Sequence, residues 1–303
     1  MSHKRDWSKY NKSLVNRGDL TFWINEKSLK LWKAKKKKHV AGAPFIYSDM
    51  AIQTAMIVKY TLKLTYRALE GYLKYLFKVL EVDLAVPCYT QICKRMKRLE
   101  LPRHLLMNKA IKHVVIDATG LKVYGEGEWK VKKHGASKRR TWRKMHLAID
   151  EQTQEIVFVD LTTEHVCDTV FVPEIMEKRK GVKKVLMDGI ADAEHLYKLA
   201  WEAGIDLLTP PKKTAVKRIE PWMKKRTNRL LEILGLGGDA EAKSLWGKLS
   251  GYSKRVTVES AIARWKKLFS GYLESRELKR QQVEARLKSL IINKLNKREL
   301  LVR

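Results

Sequence analysis

Three carboxylates, Asp117, Asp188 and Glu259, sit in sequence surroundings that suit them to chemistry. Asp117 follows the apolar run Val114-Val115-Ile116 and Asp188 follows Val185-Leu186-Met187, so each closes a segment with the length and composition of a buried strand. In open α/β sheets the carboxyl ends of strands are where ligand sites gather. Glu259 lies near the start of an expected helix whose inward face is Val258, Ile262, Trp265 and Phe269, with Thr257 as its expected cap. Three carboxylates without neighbouring Cys or His ligands repel one another unless hard cations stand between them, which favours Mg²⁺ or Mn²⁺ on oxygen. Two such ions about 3.5–4 Å apart activate an attacking oxygen and steady a leaving one in a phosphodiester displacement. Singly, either aspartate reads equally as an ordinary strand-end or turn acid; the joint pattern carries the chemical reading.

The third acid has cationic company. If its helix reaches back to Arg255, then Arg255, Glu259 and Lys266 lie within about one face. Spacing alone is also that of a weak surface ion pair.

The elements that must position these acids follow from the hydrophobic pattern. His113 to Asp117 reads as a strand, followed by a Gly125-Glu126-Gly127 turn and Trp129. Trp142 to Asp150 and Glu155 to Thr163 read as a hairpin, Asp168 to Arg179 as a helix, Lys184 to Asp188 as a strand, Ala191 to Ala203 as a helix, and Ile205 to Leu208 as a strand. That order predicts a mixed α/β sheet with helices on its faces. Asp192 reads as a helix cap or a fourth acid, and the basic, then Gly-rich stretch at about 211–250 as an insertion before the last helix. There is no fixed-period internal repeat.

Upstream the grammar is helical. Ser48 is expected to cap a helix with Ile52, Ala55 and Met56 inward, and Thr65 one with Leu69, Leu73, Leu76 and Leu80 inward. After Pro87, Thr90 is the expected cap of a short helix with Ile92, Met96 and Leu99 inward and Gln91, Lys94, Arg95 and Arg98 outward. It reads either as the recognition helix of a helix-turn-helix, where Gln can read adenine and Arg or Lys guanine, or as a basic surface helix of a bundle. Residues 1–44 form a basic arm containing Lys35-Lys36-Lys37-Lys38, with Trp7, Phe22, Trp23, Leu31 and Trp32 suited to docking part of it. The expected organisation is therefore this arm, a helical DNA-binding domain over 45–105, an α/β catalytic domain over 106–275, and a C-terminal basic helix over 276–303.

Composition narrows the partner. With 63 Lys and Arg against 33 Asp and Glu, the net charge is +30, whose self-repulsion calls for a polyanion, and nucleic acid is the default one. Membrane is the rival, but no apolar run approaches the ~18 residues of a span, and the first residues lack an apolar signal region. A cytoplasmic, nucleoid-associated protein is expected. Cys88, Cys93 and Cys167 match no zinc or disulfide framework and read as buried or free thiols. His134 and His146 form no metal pair and read as core or surface rather than DNA contacts, Lys138-Arg139-Arg140 as a solvated turn or DNA contact, and Trp129 and Trp142 as core rather than stacking platforms.

Ile116-Asp117-Ala118-Thr119-Gly120-Leu121-Lys122-Val123-Tyr124-Gly125-Glu126-Gly127-Glu128-Trp129, then Asp188-Gly189-Ile190-Ala191-Asp192, and the spaced set Tyr252, Arg255, Glu259, Lys266 resemble the motifs of bacterial insertion-sequence DDE transposases of the insertion-sequence-five family. The last motif is matched residue for residue, and Met1-Ser2-His3-Lys4 with Asp19-Leu20-Thr21 also resembles family members. The sequence departs from the usual pattern at Ala118, where many relatives have Ser, at Ile190-Ala191, where Ala-Tyr is usual, and over 211–250.

The resemblance implies an RNase H-like catalytic domain in which Asp117, Asp188 and Glu259 hold two divalent ions, Mg²⁺ or Mn²⁺. Such enzymes cut element ends by hydrolysis and join them to target DNA by transesterification. Tyr252, Arg255 and Lys266 are implied as contacts to terminal nucleotides and phosphates, and a homodimer or larger assembly on double-stranded DNA is expected. Two rival readings stay open: a nuclease or resolvase of the same fold that never joins DNA, and a non-catalytic nucleic-acid-binding protein.

Overall fold

A computed structural model describes residues 7–15, 18, 24–35, 45–107, 109–123, 142–179 and 181–300. The readings made at Met1-Ser2-His3-Lys4, Asp19-Leu20-Thr21, Phe22, Trp23, Lys36-Lys37-Lys38, Gly125-Glu126-Gly127, Trp129, His134 and Lys138-Arg139-Arg140 lie outside the described residues. The chain divides into two compact units, Met1–Pro102 with Ser275–Arg303, and Arg103–Glu274.

The first unit is helical. It opens with α1 (Trp7–Val15), α2 (Glu26–Lys30), α3 (Asp49–Thr61), α4 (Tyr66–Val79) and α5 (Tyr89–Met96). Ser48 and Thr65 cap as expected, their hydroxyls accepting from the backbone N–H of Ala51 and Ala68. Ile52, Ala55, Met56, Leu69, Leu73 and Leu76 are buried, but Leu80 is exposed, because α4 has already ended at Val79. α5 starts two residues earlier than the pattern predicts: Cys88, not Thr90, is its N-cap, and the Cys88 backbone N–H is taken up by Gln91 Oε1 at 3.2 Å. Trp32 is fully buried and donates to Ala85 O, anchoring that part of the basic arm, whereas Trp7 is exposed.

The second unit is built on one sheet. Its elements are β1 (His113–Val123), β2 (Trp142–Asp150), β3 (Ile156–Thr163), α6 (Val172–Lys178), β4 (Lys184–Leu186), α7 (Glu194–Glu202), β5 (Asp206–Leu208), α8 (Lys224–Gly235), α9 (Ala240–Leu249), α10 (Val256–Phe269) and β6 (Tyr272–Leu273). The strand order is β3-β2-β1-β4-β5, with β6 joined to β1. β1, β2 and β3 are antiparallel, while β4 runs parallel to β1 and β5 parallel to β4. This is the RNase H-like mixed sheet flanked by helices that the order of elements predicts. Val114, Ile116, Val185, Met187, Leu196 and Leu207 fill its core.

Several boundaries differ from expectation for local reasons. β1 does not stop at Asp117 but continues to Val123, because its other edge keeps pairing with β2. The helix expected over Asp168 to Arg179 is confined to Val172–Lys178, with Pro173 in its first turn. The helix expected from Ala191 starts at Glu194, since Gly189–Ala191 forms a separate 3₁₀ turn. The 211–250 stretch folds as a helical hairpin, α8 and α9. Its turn uses Gly237 and Gly238 at φ of 116° and 74°, a region that favours glycine, and Asp239 caps α9. His146 is buried with Nε2 on Thr162 Oγ1 at 2.8 Å, while Trp142 is half-buried under the Lys122 ammonium. Cys88, Cys93 and Cys167 are free.

The chain then returns to the first unit as α11 (Leu278–Leu300). The pattern predicts a separate basic helix here, but α11 buries Val283, Leu287 and Ile291 and encloses a Glu284–Lys288 pair at 2.6 Å, with the Lys288 ammonium 5.0 Å from the Tyr60 ring. Among the described residues no helix is long and apolar enough to cross a membrane.

Candidate active site

The pairing of β1 with β4 brings the two aspartates together. Val114 faces Val185 and Val115 faces Leu186 in this parallel ladder. Side chains return to the same face of a strand every second residue, so continuing the register by two sets Asp117 beside Asp188, just past the end of the ladder. Asp117 remains in the sheet opposite Leu147 of β2, with Oδ1 accepting from Ala118 N at 2.8 Å. Asp188 is the N-cap of the 3₁₀ turn, its Oδ1 accepting from Ile190 N at 3.3 Å and its backbone carbonyl from Thr209 Oγ1 at 2.5 Å.

The third acid arrives on α10. Gly251, at φ 77°, turns the chain into a 3₁₀ segment, Tyr252–Arg255, that runs straight into α10. Thr257 therefore does not cap the helix; its hydroxyl donates to Lys254 O instead. Val258, Ile262, Trp265 and Phe269 are buried as the pattern predicts, and Lys254 fastens the segment to Glu151 in the β2–β3 connection at 2.5 Å. Arg255 ends the 3₁₀ segment and is the N-cap of α10, so the helix itself starts one residue after it, at Val256. The Arg255 guanidinium donates through Nη1 to Asp117 Oδ2 at 3.2 Å and through Nη2 to Glu259 Oε1. Lys266 donates to Thr119 Oγ1 at 2.7 Å, two residues beyond Asp117 on the same face of β1. Tyr252 lies with its ring 5.6 Å from that of Trp246 on α9, so part of the ring is covered from within.

These groups act on one another electrostatically. Burial pushes the Asp117 carboxyl above the usual carboxylate range; the Ala118 N–H and Arg255 oppose this, and the charges of Asp188 and Glu259 add to it. The Tyr252 hydroxyl is raised by burial, with Arg255 opposing and the three acids adding. Burial works against the charge on Arg255, but Tyr252, Glu259, Asp117 and Asp188 together outweigh it and raise its pKa. Arg255 thus bridges Asp117 and Glu259, while Asp188, on the neighbouring strand, acts on Asp117 and Arg255 through its charge.

An all-oxygen carboxylate set fits a hard divalent cation. In this arrangement the Arg255 guanidinium fills the cationic role between Asp117 and Glu259. Among the described residues no group of three or more His, Cys, Asp or Glu side chains is set to hold a metal ion as it stands.

Two family models, each described as a transposase DDE domain, match residues 15–126 and 108–294. The chain belongs to the DDE transposase family. Among solved structures it is similar to a Drosophila P element transposase in a strand transfer complex, at 12% identity over 96% of this chain and 86% of the other, with a TM-score of 0.30. It is also similar to a piggyBac transposase synaptic complex with hairpin DNA, at 11% identity over 95% and 81%, with a TM-score of 0.28. Neither likeness bears on the roles of individual residues.

The four helix residues expected to meet DNA in this transposase do not share one surface. Gln91, Lys94 and Arg98 are exposed. Arg95 is turned inward: it donates to Tyr47 O at 2.9 Å and Asp49 Oδ1 at 2.6 Å, and its guanidinium lies 3.8 Å from the Phe45 ring centroid. Reading a base would require breaking all three contacts, so Arg95 is a structural residue. The helical wheel misplaced it because α5 is only eight residues long and the segment around Phe45 and Tyr47 covers one flank. The sequence reading also missed Thr119, whose signal was its even spacing from Asp117. Asp192 proves to be neither a fourth acid of the cluster nor a helix cap of α7, whose N-cap is Ala193; it is fully buried and forked by Arg226.

Proposed function

We propose that this DDE transposase is of the insertion-sequence-five type, that it binds the terminal inverted repeats of its element, cuts them by hydrolysis and joins the freed 3′ ends to target DNA. What supports this reading is that the β1–β4 register, continued by two residues, sets Asp117 beside Asp188, and that Arg255 ties Asp117 to Glu259, at one edge of an RNase H-like sheet. Asp117, Asp188 and Glu259 would hold two Mg²⁺ or Mn²⁺ ions. Such ions supply Lewis-acid activation of the attacking oxygen and neutralise charge on the leaving one. The attacking group is water in cleavage and the freed 3′ hydroxyl in joining, and in each case one phosphorus–oxygen bond forms as another breaks. Arg255 offers a planar fork to a phosphate and Lys266 a point charge held in place by Thr119, while the Tyr252 hydroxyl and the open part of its ring meet the terminal nucleotide. Synapsis of two ends calls for at least a homodimer.

The test is to incubate the purified chain with Mg²⁺ and duplexes of the inverted repeats that flank its gene. Cleaved ends joined to a target plasmid are the expected products. Hydrolysed ends that persist without joining would make it a nuclease of the same fold.

End binding separates exposed from buried cations. Each phosphate contact contributes about 0.9 to the slope of log K against log salt. Lys94→Ala and Arg98→Ala should each lower that slope by about one, measured by fluorescence anisotropy across a salt series. Arg95→Ala should instead lower the melting temperature, with the slope unchanged.

A further inference from the structure

Arg255 stands where a cation must stand if Asp117 and Glu259 are to lie near each other. It donates to one oxygen of each, and those oxygens are ones a divalent ion would need. The cluster of Asp117, Asp188, Glu259 and Arg255 carries three negative charges against one positive. Two divalent ions beside a retained guanidinium would turn the deficit into a surplus of positive charge in a half-buried site, where like charges repel strongly. Something has to give, and the side chain is free to do so. Arg255 lies at the junction of the 3₁₀ segment and α10, its side chain retains 22% of its surface exposed, and the backbone beneath is fastened separately through Lys254 to Glu151. The guanidinium can therefore leave the acids by rotation about its own bonds, without moving the helix that carries Glu259. A phosphate oxygen offers it the same forked geometry as a carboxylate.

We infer that Arg255 is a positioning residue that acts as an exchangeable counter-ion, holding Asp117 and Glu259 together and passing to a DNA phosphate as divalent ions load. DNA and metal binding then reinforce each other, because DNA removes the competitor for the carboxylates and metal releases the donor for the phosphate. Coupling of this kind is reciprocal and typically amounts to 5–150-fold in affinity. The inference rests on the three acids being the metal site, as proposed above.

The test is a calorimetric Mn²⁺ titration of the full chain, with and without a duplex of the flanking inverted repeat. Wild type should bind Mn²⁺ about tenfold or more tightly when the duplex is present. Arg255→Gln should bind Mn²⁺ more tightly than wild type in the absence of DNA and lose most of the enhancement by DNA; Arg255→Lys, which keeps the charge but not the fork, should fall between them. A purely structural Arg255 would leave the Mn²⁺ affinity of the free protein unchanged or weakened on substitution. That result, or a wild-type affinity indifferent to DNA, would overturn the inference. Asp188→Asn distinguishes the two levels of the argument, since Asp188 accepts no hydrogen bond from Arg255 in this structure. If Asp188→Asn binds Mn²⁺ as wild type does, the metal-site reading itself fails. If Asp188→Asn loses Mn²⁺ while wild type shows no coupling to DNA, only the exchange is wrong.

Discussion

Asp188→Asn should reduce cleavage of element ends by about three orders of magnitude or more while leaving intact the fold and the end binding measured without divalent ions. The size follows from the chemistry: metal-assisted stabilisation of a transferring phosphoryl group is worth several kcal/mol, and each 1.36 kcal/mol is a factor of ten in rate. The specificity follows from the local structure. Asp188 supports its own turn by accepting the Ile190 N–H, and an amide oxygen does this about as well as a carboxylate, since Asn and Asp are near equals at a cap. Its backbone carbonyl, held by Thr209, is unaffected by the change. Asn removes the charge and little else. Asp117→Asn and Glu259→Gln should be equally inactive, but each also loses a charged partner of Arg255, so their effect on stability is less clean. The measurement is single-turnover cleavage of labelled ends in Mg²⁺, with melting temperature and end binding alongside. Activity of Asp188→Asn within about tenfold of wild type would remove Asp188 from the catalytic set.

The aspartates were legible in the sequence because strand grammar is short-range. An apolar run of three or four residues ending in an acid reads the same before and after folding, and the parallel register of β1 and β4 then does the rest. Glu259 and its cationic neighbours were legible through helical spacing, which the Arg255–Glu259 pair obeys. What could not be read was whatever depended on contacts between distant segments. Arg95 faces inward only because the chain near Phe45 and Tyr47 crosses that side of α5, and no periodicity within α5 contains that information. The last helix looked autonomous because its basic residues dominate its composition, yet it buries Val283, Leu287 and Ile291 and closes a Glu284–Lys288 pair inside the first unit. Strand ends were misjudged where one edge of a strand stops pairing before the other, as at Asp117. The insertion was the least legible region, since two of the arginines in its basic run turned out to be internal.

Those arginines lead to the largest expected effect on stability. Arg226 of α8 grips Asp192 through Nε at 2.7 Å and Nη2 at 3.2 Å, and its Nη1 donates to Val216 O. Asp192 also accepts from Lys212 N at 2.8 Å and has no exposed side-chain surface. A pair of this kind gains little over apolar residues of the same volume, but breaking it from one side leaves a buried charge without its partner, at a cost of about 3–5 kcal/mol. Arg226→Ala should therefore lower the melting temperature by roughly ten degrees, given about 2–4 °C per kcal/mol for a unit of this size. Replacing both partners, Asp192→Asn with Arg226→Gln, should recover much of the loss, because no unpaired charge remains. A double-mutant cycle by thermal unfolding measures this directly, and a loss below about 1 kcal/mol for Arg226→Ala would show that the fork contributes little. The consequence reaches the active site through one turn of chain. Asp192 closes the 3₁₀ turn that Asp188 opens, with its backbone N–H on Gly189 O, so the arginine that secures the helical insertion also secures the loop carrying the second acid. On this basis the insertion sets the position of Asp188, and the double variant, stable but without the ionic fork, should cleave more slowly than wild type even where it melts at a similar temperature.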